Sequence, residues 1–253
     1  NHLIEEIYAA KDTYGANRTI LEDITGKTLN YKQFIMKFSV LSLALAEHIP
    51  ASSHIGLLLP NTMANLVTYF ASIHRGYIPA MLNYTAGTKN LISAIQTAQI
   101  HTVITSRAFI EKAKLEEVVA ALDPKVMQIL YLEDIAKNIT LGQKIHGAFV
   151  GLFWQYMKPK NLDPHSPALI LFTSGSEGSP KGVVLSHFNI MANVKQLLST
   201  IDIGITDRMF NALPMFHAFG FNIGTLTPVM GGVFTYLYPN PKHFAQIPNI
   251  VYL

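Results

Sequence analysis

Cysteine is absent from the chain, which removes disulfides, thiolate metal sites and cysteine nucleophiles together. Charge is scarce: 14% of the 253 residues are charged against 49% hydrophobic, so a sizeable core is expected and disorder is not. The formal net charge is +3, and its lysines and arginines are scattered without a basic run, which argues against a nucleic-acid partner. No GxSxG elbow occurs, which argues against a serine hydrolase, and there is no HExxH or close histidine pair, so no metal site is assigned. A signal peptide is lacking, as is an initiator methionine. "NHLIEEIYAAKD" reads as a short acidic helix, and the chain is expected to be cut from something longer.

Two stretches hold no Asp, Glu, Lys or Arg at all, His48 to His74 and Met209 to Pro241. Both are long enough to span a bilayer. Pro50, Pro60 and Asn61 break the first, and Pro214, Gly220, Pro228, Gly231 and Gly232 punctuate the second, so buried elements of a soluble core explain both better.

What is present alternates regularly. "ILEDITGKTLNY" predicts a hairpin turning at Gly26, and Asn30 caps a helix whose Phe34, Phe38, Leu41 and Leu45 recur at helical spacing. Strands then alternate with helices: "HIGLLL", a helix over 61–74, "YIPAML", a helix over 88–97, "TVITS", a charged helix over 107–121, "QILYLE" and a helix over 140–153. After a proline-rich loop come "ALILF", "GVVLS", a helix over 188–198, "MFNAL", a glycine-interrupted helical stretch and "GVFTYLY". Apolar strands separated by amphipathic helices predict an α/β fold with a mainly parallel sheet covered on both faces.

The stretch richest in chemistry is "TSGSEGSPKG", Thr173 to Gly182. Amides of glycine-rich turns can converge as an anion nest; the hydroxyls of Thr173, Ser174 and Ser176 add donors and Lys181 adds positive charge. Phosphate is the natural guest. Neither a Walker A loop nor a Rossmann fingerprint fits, since Pro180 stands where a glycine should be and a strand follows instead of a helix. On the residues alone, a mobile hairpin between strands stays open.

"LFTSGSEGSPKGVVLSH" closely resembles the signature loop of the adenylate-forming enzymes, which include acyl-CoA synthetases, firefly luciferase and peptide-synthetase adenylation domains. "LNYKQF", "HRGYIPAMLNY" and "ALPMFHAFG" resemble further segments of that family in the same order, so the likeness covers nearly the whole chain. Within the family, Glu177 in the loop, "NVKQ" and "ALPMFHAFG" are most similar to the acyl-acyl-carrier-protein synthetase half of bifunctional 2-acylglycerophosphoethanolamine acyltransferase/synthetases. None of the ten histidines has an aspartate five residues later, so the HxxxxD acyltransferase half is not on this chain.

The resemblance implies part of a large N-terminal adenylation domain, with 49–187 as a first lobe ending in the loop and 1–48 plus 188–253 as part of a second. It implies ATP and Mg2+ as cofactors, with Thr173, Ser174, Gly175, Ser176, Gly178 and Lys181 on the outer phosphates. A fatty acid would be activated to an acyl-adenylate and passed to a phosphopantetheine thiol, of acyl carrier protein or of CoA, in phospholipid reacylation. His217 would lie beside the substrate carboxylate as an orienting or gating group, with Phe216 and with Gly220 keeping the pocket wall thin; without the family, a lone histidine among Phe216, Phe219 and Phe221 reads as a core residue. The catalytic lysine and much of the nucleotide site are expected beyond Leu253, so no catalytic residue is assigned here and the isolated chain is expected to be inactive and soluble. Its parent is expected at the cytoplasmic face of an inner membrane. Two other readings are an acyl- or aryl-CoA ligase of the same superfamily and a non-catalytic phosphate- or lipid-binding module.

Overall fold

A computed structural model describes residues 1–157, 162–173 and 180–239, with the side chains of 154–157 left out. Two sheets carry the chain. The first two strands, β1 (Thr19–Asp23) and β2 (Thr28–Asn30), form an antiparallel hairpin turning at Gly26, whose φ of 69° suits glycine. Helix α1 (Leu3–Tyr14) precedes them. Asn30 then starts α2 (Tyr31–Leu45) with a reciprocal capping box: its side chain accepts from Gln33 N at 2.8 Å, and Gln33 Oε1 accepts from Asn30 N at 3.0 Å.

The larger sheet follows: β3 (His54–Leu57), α3 (Met63–His74), β4 (Ile78–Met81), α4 (Thr88–Thr97) and β5 (Thr102–Thr105). Next come α5 (Arg107–Ala113), α6 (Glu116–Ala120), β6 (Gln128–Tyr131), α7 (Leu132–Asn138) and α8 (Leu141–Met157). It closes with β7 (Pro167–Thr173) and β8 (Lys181–Ser186). After α9 (His187–Thr200), strand β9 (Arg208–Asn211), a π-helix (Phe219–Leu226), α10 (Thr227–Met230) and β10 (Phe234–Leu237) complete the chain. Strand order is β6-β5-β3-β4-β7-β8 in the larger sheet and β2-β1-β10-β9 in the smaller. All pairings are parallel except the two hairpins, β1–β2 and β7–β8, each placing an antiparallel strand at a sheet edge. The mainly parallel α/β expectation holds for this reason: buried strands joined through covering helices pair in parallel.

Two expected elements differ. The charged helix over 107–121 is broken at Lys114, which adopts the left-handed conformation at φ 55°. That turn sends Leu115 back, its N–H donating to Ile110 O at 2.9 Å, and buries Leu115 with Ile110 and Val118. Apolar burial outweighs an uninterrupted helix here. The segment "QILYLE" is strand only to Tyr131, because Glu133 accepts from Ser106 Oγ at 2.7 Å and Arg107 pairs with Asp134, which holds α7 against the start of α5.

The sheets are tied by polar side chains as well as by a shared core around Phe34, Phe38 and Phe70. Helix α3 has no side-chain cap of its own, and Asp23 at the end of β1 supplies one: Oδ2 accepts from Met63 N at 3.0 Å. Asn61, buried between the sheets, donates through Nδ2 to the carbonyls of Asn211 and Tyr238. Among the described residues no helix is long and apolar enough to cross a membrane.

Candidate functional site

Strands β7 and β8 run antiparallel in register down to their open end, where Phe172 faces Gly182 and Thr173 faces Lys181. Both Thr173 and Lys181 are exposed there, so a hydroxyl and an ammonium flank the mouth of the glycine-rich loop. Ser174, Gly175, Ser176 and Gly178 lie outside the described residues. Proline at 180 and the change of direction at the sheet edge make this loop a hairpin connection instead of a strand-to-helix turn.

The second half of the site is built by Asn211. This residue ends β9, is buried, and inserts its side chain into the π-helix: Nδ2 donates to Gly220 O at 3.0 Å and to Thr225 Oγ1 at 2.9 Å, while Oδ1 accepts from Leu213 N at 3.0 Å. Thr225 Oγ1 in turn donates to Gly220 O at 2.8 Å. A side chain threaded into a helical ladder opens it, which accounts for a π-helix at this place. Gly224 makes the room, since a Cβ there would lie 2.5 Å from Asn211 Cγ. Gly220 is equally constrained: its Cβ would meet the carbonyl oxygens of Pro214 and Leu213 at 2.4 and 2.6 Å. Its lack of a side chain therefore admits backbone, a packing reason beside the thin pocket wall anticipated for it.

Those contacts hold the turn 212–219 in place. His217 projects from it, exposed, with its amide bonded to Pro214 O at 3.0 Å and its carbonyl accepting from Phe221 N at 2.9 Å. The core alternative for this histidine is not realised. Phe216 beside it is buried and meets Tyr84 edge-on at 5.0 Å, with the His217 ring 4.6 Å away. Burial pushes the Tyr84 hydroxyl up to about 12, so it stays protonated. Phe221 is buried against Tyr69 at 4.8 Å, and burial raises the Tyr69 hydroxyl as well.

The two halves meet across a cleft of about 200 Å³. Leu171 and Leu185 line it from β7 and β8, Ile190 and Asn193 from α9, and Ala218 and Phe221 from the turn and helix that carry His217. Helix α9 is aimed by its own capping box, Ser186 with Asn189, and Asn193 Oδ1 accepts from Asn222 Nδ2 across the cleft. The lining is largely apolar with amides at its edge. The segment from Met209 to Tyr238 has no charged side chain. Sequence reasoning passed over Asn61, Asn193, Asn211, Asn222 and Gly224. The available signal was Asn211 itself, a polar residue closing the otherwise apolar strand "MFNAL".

Mainly parallel sheets with covering helices, and an apolar cleft between the β7–β8 edge and the π-helix, define an α/β domain. The chain belongs to the AMP-binding enzyme family, whose profile matches residues 8–251. It is 25% identical over 227 residues to a long-chain-fatty-acid–CoA ligase of Bacillus subtilis, covering 81% of this chain and 40% of that protein. It is also 25% identical over 223 residues to an acyl-CoA ligase of Beauveria bassiana, covering 87% and 39% respectively. The chain thus spans about two fifths of the length of the curated relatives it matches. In fold it matches the N-terminal domain of FACL13 from Mycobacterium tuberculosis, with a TM-score of 0.78 at 17% identity over 99% of this chain and 60% of that one. A fatty acyl-adenylate ligase from L. pneumophila, solved with acyl adenylate and pyrophosphate, matches at 0.75 and 20% identity over 99% and 41%. At these identities the likeness is one of fold.

Proposed function

We propose that this chain serves, as part of a full-length protein, in activating a fatty acid with ATP, forming an acyl-adenylate that is passed to a phosphopantetheine thiol. The observation that carries this reading is the cleft itself: one wall comes from the strands flanking the glycine-rich loop, the other from the turn presenting His217. In the first step a carboxylate oxygen attacks the α-phosphorus and the bond to the β-phosphate bridge breaks, releasing pyrophosphate. An anion approaches a polyanion, so charge neutralisation dominates the barrier.

Thr173 and Lys181, opposed at the loop mouth, fit the β- and γ-phosphates, with Ser174, Ser176 and the amides of Gly175 and Gly178 completing the cradle. Magnesium, a hard cation that keeps water and phosphate oxygens as ligands, would supply further neutralisation on the nucleotide. His217 orients the carboxylate; a fatty carboxylate is already ionised at neutral pH, so a base is not needed. Phe216 backs the histidine and Gly220 fixes the turn. The cleft is smaller than the roughly 300–1,000 Å³ usual for small-molecule sites, so it holds the first part of an acyl chain. The domain reading follows the sheets: the larger sheet falls within 49–187, and the smaller within 1–48 and 188–253.

For the second step the thiolate attacks the acyl carbonyl and AMP leaves. Acyl carrier protein is the acceptor on the strength of the loop and "NVKQ" likeness, in a phospholipid reacylation role. CoA is the second reading, favoured by the names of the relatives. The test uses the full-length protein: fatty-acid-dependent exchange of labelled pyrophosphate into ATP, with Lys181→Ala expected to lower it ~10²–10³-fold while leaving thermal unfolding unchanged. Undiminished exchange overturns the phosphate assignment. Supplying holo-acyl carrier protein and CoA separately decides the acceptor.

A further inference from the structure

Helix α8 is built inside out. Its small residues face the protein: Gly147 and Gly151 are buried, and a Cβ on Gly147 would lie 2.6 Å from Val40 Cα of α2. Five of its large apolar residues face away. Leu141, Ile145, Phe149, Leu152 and Phe153 follow one another at helical spacing and are between 43% and 73% exposed. Phe149 and Phe153 pair with each other, ring centroids 4.7 Å apart. A stripe of this kind on a surface helix marks an interaction face.

Its surroundings are cationic. The sequence from Ile135 to Leu162 holds Lys137, Lys144, Lys158 and Lys160 and no aspartate or glutamate. Lys137 and Lys144 are exposed, as are Lys32 and Lys37 on α2, the helix that α8 packs against. Of the nearby acids, Asp134 pairs with Arg107, while Glu47 and Glu133 accept from the neutral donors Gln143 Nε2 and Ser106 Oγ and keep their charge, so the lysines outnumber the uncompensated acids along 135–162.

We propose that the outward face of α8 docks on an anionic lipid bilayer, the helix lying in the plane of the headgroups with its apolar stripe in the acyl boundary. Seventeen residues make a rod of about 25 Å, too short for the ~30 Å hydrocarbon core, so α8 lies on the membrane and does not span it. Leucine, isoleucine and phenylalanine on one side with lysines at the flanks is the pattern of an interfacial helix. A second copy is less favoured by charge, because it would bring two sets of flanking lysines into one interface, whereas the stripe itself carries no acid to pair them. An anionic surface satisfies stripe and lysines at once. The inference stands on α8 and does not depend on the acyl chemistry proposed for the cleft.

The test is flotation of the full-length protein with phosphatidylcholine vesicles, with and without about 30 mol% phosphatidylglycerol. Binding is expected on the anionic vesicles, at least about tenfold weaker on neutral ones, and reduced by salt. Ile145→Ser with Phe149→Ser should lower it by about tenfold or more with thermal unfolding retained. Lys137→Gln with Lys144→Gln should lower it several-fold and blunt the salt dependence. Absence of binding by the unaltered protein, or equal binding by the Ile145→Ser/Phe149→Ser variant, overturns the proposal. So does conversion of a dimer to a monomer by that variant in analytical ultracentrifugation, which makes a second copy the occupant. A marked fall in its thermal stability also overturns it, since the remainder of the protein would then be what covers the face.

Discussion

Two helices of this chain carry glycines four apart, Gly147 with Gly151 in α8 and Gly220 with Gly224 in the π-helix, and they use the spacing for opposite ends. In α8 the glycines let one helix backbone settle onto another, α2, and Leu141, Ile145, Phe149, Leu152 and Phe153 are turned outward. In the π-helix they admit polar atoms, the Asn211 amide and the carbonyls of Leu213 and Pro214, and Phe221 and Leu226 are turned inward. Identical spacing thus yields a slab glued on from outside and a clamp built from inside. The clamp fixes His217; the slab offers a surface. Removing space at the first should loosen one helix, and removing it at the second should threaten the fold.

The largest effect is expected at the clamp. Gly224→Ala forces a methyl into the Asn211 amide, breaking buried hydrogen bonds as well as overpacking, and should cost about 3 kcal/mol by denaturant unfolding. Adding Asn211→Ala frees that space, so the double variant should cost less than the sum of the two single changes. Strict additivity would show that the glycine is not there for the asparagine.

The opposite face of α2 gives the next effect. His74 lies there, its Nδ1 3.0 Å from Ser42 Oγ and its ring 5.5 Å from Phe38. Burial first, and then the Arg75 and His2 charges, hold its folded pKa at about 4, below the ordinary 6.5. The folded state therefore favours the neutral ring. Its stabilising contribution is complete above the unfolded value and is lost as pH falls toward 4, at up to about 1.4 kcal/mol per unit. Stability at about pH 5 should thus lie roughly 2 kcal/mol below that at about pH 7.5 from this group alone. His2 and His187, stacked at 3.5 Å and held at about 4 and about 3, act in the same direction. His74→Leu should flatten part of the slope, and an unchanged slope would assign the acid loss elsewhere.

At the slab, Gly147→Ala should cost about 1–2 kcal/mol, read as faster amide exchange confined to α8 while the sheets stay protected. Global destabilisation instead would make α8 part of the cooperative core and erase the contrast with the clamp. The smallest effect belongs to its outer side: Phe149→Ser should change stability by no more than about 0.5 kcal/mol, because an exposed ring contributes little to folding.

Much of this was legible in the residues. The strand and helix alternation, the Gly26 turn, the Asn30 cap and the glycine-rich loop are local matters of turn chemistry and periodicity, and local rules decide them. The break at Lys114 was not legible, since an unbroken helical pattern runs through it and only burial of Leu115 against the larger sheet makes the left-handed turn worthwhile. The site divides the same way. "TSGSEGSPKG" and "PMFHAFG" stood out by composition and likeness, whereas Asn211 did not, because its π-helix partners lie nine and fourteen residues away along the chain. Nor could periodicity tell which side of α8 faces inward. It carries an apolar stripe and a glycine stripe, and hydrophobicity alone would bury the first. The close approach of α2, possible only against glycine, buries the second and leaves the large side chains outside. Sequence by itself determined the elements and the chemistry carried on each; tertiary structure decided which faces met, because packing depends on shape across distances that no local pattern encodes.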